Sequence, residues 1–176
     1  SYFCQEENQE LMTHRYTTII IGIIVLVTVG VLTGCVTLRP ATIQMNKDIR
    51  AYTHVYIPAT QTKESAIGVP VVGVILPYAQ SVNPRDVIAG GFSKRGFIVL
   101  HDIEERVRPK TLIVSYGESG RRRVALGMGS TTEVILQLVS AETGELVGTA
   151  TAEGCGDTES DDIKQAIARA LAALFK

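Results

Sequence analysis

Residues 19–31 form an uncharged, almost wholly apolar run, and this run decides which part of the 176-residue chain can fold as a water-soluble domain. Basic Arg15 lies just before the run, and the small residues Thr33 and Gly34 follow it. A basic start, an apolar centre and small residues before a cleavage point are typical of a secretory signal peptide. The sequence therefore predicts a signal peptide over 12–34 and a folded domain built from the residues behind it.

The signal peptide ends in Leu32, Thr33, Gly34 and Cys35, which resemble the lipobox recognised by lipoprotein signal peptidase. The resemblance implies cleavage before Cys35, a diacylglycerol on its sulfur and a further acyl chain on the new amino terminus. More than one acyl chain makes membrane anchoring stable. This covalent lipid is the only group we expect the protein to carry. The alternative is an uncleaved membrane-spanning helix, although the run is shorter than the roughly 20 residues that a span needs.

Residues 1–11 contain three glutamates and are unusual in front of a signal peptide, so we interpret them as an upstream extension, with Met12 as the better initiator. A net charge of −1 gives no reason to expect a nucleic-acid partner, because phosphate binding rewards a concentrated excess of Lys and Arg.

With Cys4 removed and Cys35 acylated, Cys155 would be the single remaining thiol. We interpret it as a small buried residue, with a reactive thiol or an intermolecular disulfide as alternatives.

The remaining chain divides into a tether over 35–50, which shows no sustained periodicity, and one domain over 51–176. Residues 51–58 alternate β-branched and aromatic side chains and predict the first strand. The apolar stretch 66–79 is interrupted by Pro and Gly, which favours a hairpin over a helix; an exposed apolar surface is the alternative. Asn83 and Pro84 are typical of a helix start.

The later elements follow from periodicity and turn residues. The most secure is the terminal helix over 161–175, where apolar residues recur on one face and require a surface to pack on. The others are strands over 97–103 and 111–116, a tight turn over 117–120, and a hairpin of 133–141 with 146–152. We therefore predict an α+β fold: a two-layer sandwich of about five mainly antiparallel strands with two helices packed on one face.

Catalytic and metal motifs are weak. Gly117-Glu118-Ser119-Gly120 is one residue too short for the nucleophile elbow of a serine hydrolase and is not followed by a helical pattern. The acidic residues of 157–162 lack the Gly and Glu positions of a calcium loop and better fit a helix start capped by Thr158 or Ser160. Neither motif predicts a catalytic or metal site.

The densest charge in the chain is Arg121-Arg122-Arg123. We interpret it as a solvated turn. The alternative is a contact site for an anionic headgroup, a glycan or an acidic partner.

Several segments resemble uncharacterised small envelope lipoproteins of Bacteroides-type bacteria. They include Asn83–Gly90, Thr111–Arg122 and Thr151–Ile163, and the similarity covers nearly the whole mature chain. The resemblance implies an envelope location but carries no activity and no catalytic residues. In such bacteria an acidic run after the acylated cysteine accompanies surface export, and 36–39 is not acidic, so the resemblance implies an outer-membrane lipoprotein that faces the periplasm.

These observations favour a non-enzymatic binding or assembly module, held at the membrane so that local concentration substitutes for affinity. Its partner would be the membrane lipid around the anchor, together with an envelope protein or glycan. The competing hypothesis is a hydrolase of an envelope polymer, which requires convergent catalytic groups. The candidates for such convergence are Glu118, Glu153 and His101.

Overall fold

The computed structural model describes residues 37–71, 74–124 and 129–176, and Thr37–Lys176 form one compact unit. The predicted upstream extension, signal peptide and acylated Cys35 lie outside the described residues. Among the helices of the described part, none is long and apolar enough to cross a membrane. The elements in chain order are β1 (Thr42–Met45), β2 (His54–Tyr56), β3 (Lys63–Val71), β4 (Val74–Val82), α1 (Pro84–Ser93), β5 (Ile98–Leu100), β6 (Thr111–Val124), β7 (Gly129–Ser140), β8 (Leu146–Gly154) and α2 (Glu159–Leu174).

The predicted fold class, a two-layer sandwich of about five mainly antiparallel strands, is wrong. The main sheet has six strands in the order β1-β8-β7-β6-β2-β5, and β3 and β4 form a separate two-stranded antiparallel sheet. The main sheet is mixed, because β2 runs parallel to both β5 and β6 while the other pairs are antiparallel. The sequence did not indicate the parallel pairs, since β2 and β5 have three residues each and no periodicity that could be recognised.

One side of the sheet carries the hydrophobic core. Alternate residues of a strand point to the same side, and the buried alternate positions are Leu112 and Val114 in β6, Val134, Leu136 and Leu138 in β7, and Ala150 and Ala152 in β8. They share one core cluster with Ile88 and Phe92 of α1 and Ile163, Ile167 and Leu171 of α2. Both helices therefore contribute to the core on this side, which we call the helix side.

The predicted starts of both helices are confirmed. Asn83 caps α1 by accepting a hydrogen bond from the backbone N–H of Arg85, and Pro84 occupies the first turn. Thr158 caps α2 by accepting a hydrogen bond from the N–H of Asp161 at 3.1 Å. The acidic residues of the first turn interact favourably with the positive end of the helix dipole. The predicted β7–β8 hairpin is also confirmed, with Gly144 at φ 71° in its loop.

The tight turn predicted over 117–120 is wrong. β6 runs from Thr111 to Val124 without interruption, and its register against β7 shifts between Glu118 and Gly120. Ser119 is the extra residue at this β-bulge. Two glycines within four residues suggest a turn, but a long partner strand can hold the same residues in the sheet because its backbone hydrogen bonds continue on both sides of the bulge.

The N-terminal part of the domain also differs from its expected form. Residues 42–45, which the sequence places in the tether, form the edge strand β1 and pair with β8 from Thr42 opposite Thr151 to Met45 opposite Gly148. The strand predicted over 51–58 is limited to His54–Tyr56. Backbone pairing of β3 with β4 confirms the hairpin predicted within 66–79 and extends it to Lys63 and Val82.

Helix α2 lies close against the end of β8 because the strand ends in glycine. A Cβ on Gly154 would come within 1.8 Å of the carbonyl oxygen of Asp162. Only a residue without a side chain allows this separation. The contact fixes where α2 begins relative to the ends of β6, β7 and β8, and this end of the sheet holds the densest group of charged contacts in the described chain.

Candidate functional site

Glu153 is the centre of the charged group at this end of the sheet. It lies in β8 between two residues that face the helix side, so its side chain points to the opposite side of the sheet. Its side chain is only 3% exposed, although nothing in the sequence distinguishes it from an ordinary surface glutamate. A buried carboxylate requires compensation by opposite charge and by hydrogen bonds.

Arg122 supplies that compensation from β6, two strands away. Its Nε donates to Oε1 of Glu153 at 3.1 Å and its Nη2 donates to Oε2 at 2.8 Å. This two-point geometry is the strongest form of an arginine–carboxylate contact. The pair spans β7 and ties β6 to β8.

The chain that enters the domain is held by the same carboxylate. The backbone N–H of Arg39 donates to Oε2 of Glu153 at 2.9 Å, and Nη2 of Arg122 donates to the carbonyl of Thr37 at 3.3 Å. Arg169 of α2 bridges the carbonyls of Arg39, at 2.7 Å, and Glu153, at 2.5 Å. We call Glu153, Arg122, Arg39 and Arg169 the Glu153 cluster. It fixes residues 37–39 to the sheet and to α2.

Glu153 and Arg122 shift each other's pKa in the directions that favour their charged forms. The hydrogen bond from Arg122, followed by that from the Arg39 backbone, lowers the pKa of Glu153, although burial acts in the opposite direction. The same contact raises the pKa of Arg122. Both groups are therefore held in their charged forms.

A shallow cavity of about 260 Å³ lies beside the Glu153 cluster. The residues that line it are Arg39, Gly120, Arg121, Arg122, Thr131, Glu133 and Glu153. Guanidinium and carboxylate groups are both present, so the cavity offers donors and acceptors together and not a purely cationic surface.

The three consecutive arginines do not form one patch. Because they lie in a strand, Arg122 shares a side with Glu153, and Arg121 and Arg123 point to the helix side. Arg121 Nη2 contacts Oε2 of Glu159 at 2.8 Å, at the start of α2. Arg123 is exposed. The solvated turn expected here is wrong, and two of the three side chains bind carboxylates of the chain itself.

The acidic residues before α2 have structural partners. Asp162 is 2% exposed and accepts hydrogen bonds from the hydroxyl of Thr132 at 3.2 Å and from the backbone N–H of Gly156. Burial raises its pKa in spite of these bonds. Within 37–71, 74–124 and 129–176, no three His, Cys, Asp or Glu side chains are grouped so as to hold a metal ion.

The groups considered for hydrolysis do not converge. Glu118 contacts Lys63 at 3.2 Å and accepts from Tyr116, while Glu153 belongs to its own cluster. His101 follows β5, which is separated from β8 by four strand spacings, or about 19 Å at about 4.8 Å each. The hydroxyl of Ser119 donates to Glu133 at the bulge, where the chain does not enter a helix. These residues therefore form no shared catalytic centre.

Cys155 follows β8 directly and is half-buried. Its backbone N–H donates to the side chain of Gln165 at 2.5 Å, and burial raises the pKa of its thiol. A raised pKa keeps the thiol protonated and lowers its reactivity.

Sequence reasoning missed the main feature of this region. It singled out Arg122 only as part of a basic run and Glu153 only as a catalytic candidate, and it placed Arg39 in a tether. Their separations along the chain are long, 31 residues for Arg122 and Glu153 and 114 for Arg39 and Glu153, so no local pattern connects them.

No family model and no curated protein matches the sequence. The solved structures that are similar to this chain include the PelC dodecamer from Paraburkholderia phytofirmans and a variant of that dodecamer from the same organism. Each is 15% identical, and each alignment covers 76% of this chain and 96% of the other. The TM-scores are 0.47 for the dodecamer and 0.46 for the variant.

Proposed function

We propose that this chain is a membrane-anchored envelope lipoprotein that acts as a non-enzymatic binding or assembly module. In this proposal the signal peptide is removed, Cys35 carries the lipid, and the domain faces the periplasm from the outer membrane. The Glu153 cluster is the observation that supports it most directly, because it holds the chain from Thr37 onward against the domain.

The position of the Glu153 cluster limits how far the domain can lie from a lipid on Cys35. Thr37 follows Cys35 by two residues, and a chain segment of two residues reaches at most about 7 Å. An acyl group on Cys35 would therefore hold this end of the domain next to the bilayer. Such close anchoring restricts the orientation of the domain and raises its local concentration, which favours partners in the same membrane.

The contacts of the candidate groups support a non-enzymatic role. Arg122 is bound to Glu153, Arg121 to Glu159, and Ser119 to Glu133. These pairs hold the sheet and the first turn of α2 in place. A preorganised surface of this kind lowers the ordering cost of binding a partner.

The test is the intact mass and the detergent partitioning of the natively expressed full chain, compared with Cys35→Ala. Cys155→Ala is the matched control, because it also removes one cysteine. We expect the unsubstituted chain and Cys155→Ala to begin at Cys35 with a lipid mass, to partition into detergent, and to keep the longer form when signal peptidase is inhibited. Cys35→Ala should show neither cleavage nor acylation. An unacylated, uncleaved amino terminus in the unsubstituted chain would overturn the proposal.

A further inference from the structure

The six-stranded sheet has two edges that no described strand covers. β1 pairs only with β8, and β5 pairs only with β2, among the strands within 37–71, 74–124 and 129–176. An edge strand has backbone N–H and C=O groups that can pair with another chain. Tracing the pairings through the sheet shows that β1 and β5 run in opposite directions. Two copies placed side by side in the same orientation would therefore join β5 to β1 as an antiparallel pair.

Exposed apolar side chains are found at the same two edges. Within 37–64, 81–123 and 130–176, the exposed large hydrophobic side chains are Ile43 and Met45 in β1, Leu146 at the start of the adjacent β8, and Ile98 in β5. Ile98 is 56% exposed and Ile43 is 48% exposed. Single exposed hydrophobic residues are common, but within those three ranges all four lie in an edge strand of the main sheet or in the strand beside it.

The side-chain pattern of β1 matches that of β5. Ile43 lies on the helix side, because it pairs with the buried Ala150, and Val99 lies there because it pairs with the buried Val55. An antiparallel β5–β1 pair would place Ile43 of one copy beside Val99 of the next and extend the apolar layer across the junction. Neither β1 nor β5 contains a charged residue or a proline, which are common means of preventing edge pairing.

Charges at the ends of the two strands are complementary. Arg39 precedes β1; its Nε lies 3.6 Å from Oε1 of Glu153, and its side chain is still 66% exposed. Exposed Asp102 follows β5. Antiparallel pairing brings the end of β5 to the start of β1, so Asp102 of one copy would lie near Arg39 of the next. Opposite charges at this position favour pairing of β5 with β1 in the register that brings Asp102 close to Arg39.

We propose that the partner is a second copy of this chain, bound head to tail through β5 of one copy and β1 of the next. This interface is heterologous, so a third copy can add in the same way. The proposal rests on the proposed function in one respect: anchoring requires all copies to begin at the same membrane. Head-to-tail pairing keeps the chain starts at one end of the joined sheet, whereas a two-fold antiparallel β1–β1 dimer would place them at opposite ends.

Cysteine cross-linking of the full chain in native membranes tests the arrangement. Gln44→Cys in β1 and Ile98→Cys in β5 place thiols on the same side of the sheet, opposite the helices. The background carries Cys4→Ser and Cys155→Ser and keeps Cys35 for acylation. We expect a bismaleimide reagent to produce trimers and larger species in the double variant, and none beyond a dimer in either single variant.

A second variant tests the charge contact. Asp102→Arg should reduce the cross-linked ladder several-fold, and the control Glu142→Arg, in the exposed β7–β8 loop, should leave it unchanged. A folded double variant without a ladder, or a dimer formed by Gln44→Cys alone at the same yield, would overturn the inference. Intact mass separates the two proposals: acylated chains without a ladder reject only the head-to-tail contact, and a ladder of unacylated chains rejects only the anchor.

Discussion

The guanidinium of Arg122 and the carboxylate of Glu153 form a two-point contact across the intervening strand β7, with donor–acceptor distances of 3.1 and 2.8 Å. Glu153 also accepts the backbone N–H of Arg39, so one buried carboxylate connects β6, β8 and the segment before β1. Removal of the carboxylate leaves a backbone donor and a guanidinium without their partner. This relationship leads to the first two predictions.

Glu153→Ala should lower the free energy of unfolding by about 2 kcal/mol, because half-buried Arg122 and the backbone N–H of Arg39 lose the carboxylate that accepts their hydrogen bonds. Urea unfolding followed by circular dichroism measures the change. Amide hydrogen exchange at Arg39 should also accelerate, since its N–H loses its acceptor. Glu145→Ala is the control: Glu145 is exposed and pairs with Lys47 at the surface, so that variant should be indistinguishable from the unsubstituted chain. Equal effects of the two substitutions would contradict the prediction.

Stability should fall in acid because of Glu153. Its pKa is lower in the folded than in the unfolded state, so its stabilising contribution is complete above about pH 4.3, the ordinary pKa of Glu, and is lost as the pH falls through the folded value. Glu153→Gln should reduce this acid dependence. The measurement is the urea midpoint between pH 3 and pH 7, and an unchanged pH profile in Glu153→Gln would count against it.

Asp162 should contribute a pH dependence of stability opposite to that of Glu153: its contribution falls as the pH rises. Burial raises its folded pKa, so the unfolded chain releases this proton first as the pH rises above about 3.9, and stability falls as the pH rises through the folded value. Asp162→Asn can still accept from Gly156 and donate to Thr132, and it carries no charge. We expect the variant to be at least as stable as the unsubstituted chain at pH 7. Exposed Asp157→Asn serves as the control, and a strongly destabilised Asp162→Asn would refute the argument.

Gly154→Ala should destabilise the fold by about 3 kcal/mol or more, because the new methyl group would overlap the carbonyl oxygen of Asp162. The backbone of α2 would have to move to relieve it. Gly117→Ala is the matched control, since a Cβ there meets nothing within 4 Å, and it should stay within about 1 kcal/mol. Thermal unfolding of both variants gives the comparison. Similar melting temperatures would show that the close approach is not required.

Thr158→Ala should cost about 1 kcal/mol, because the helix cap at the N–H of Asp161 is lost. Thr158→Ser keeps the hydroxyl and should retain most of the stability. The difference between the two variants in urea unfolding isolates the hydroxyl. If Thr158→Ser were as unstable as Thr158→Ala, the cap would not be the cause.

The sequence alone determined the elements whose signals are local. The apolar spacing from Ile163 to Leu174 predicted α2, the Asn83-Pro84 pair predicted the start of α1, and the β-branched runs around Gly144 predicted the β7–β8 hairpin. Each of these signals lies within one short continuous segment and reflects backbone preference or a single packed face. The short sequence Leu32-Thr33-Gly34-Cys35 similarly predicts the lipid anchor, which remains a proposal.

Only the tertiary structure decided how these elements combine. Strands as short as β1, β2 and β5 have too few residues for a recognisable period, so their membership in the sheet and the parallel pairing of β2 depend on the neighbours they contact. The two glycines near Ser119 became a bulge and not a turn because β7 continues to pair with β6 beyond them. Glu153, Arg122 and Arg39 meet for the same reason: strands adjacent in space bring together residues that are distant in sequence, and burial then requires the charges to pair.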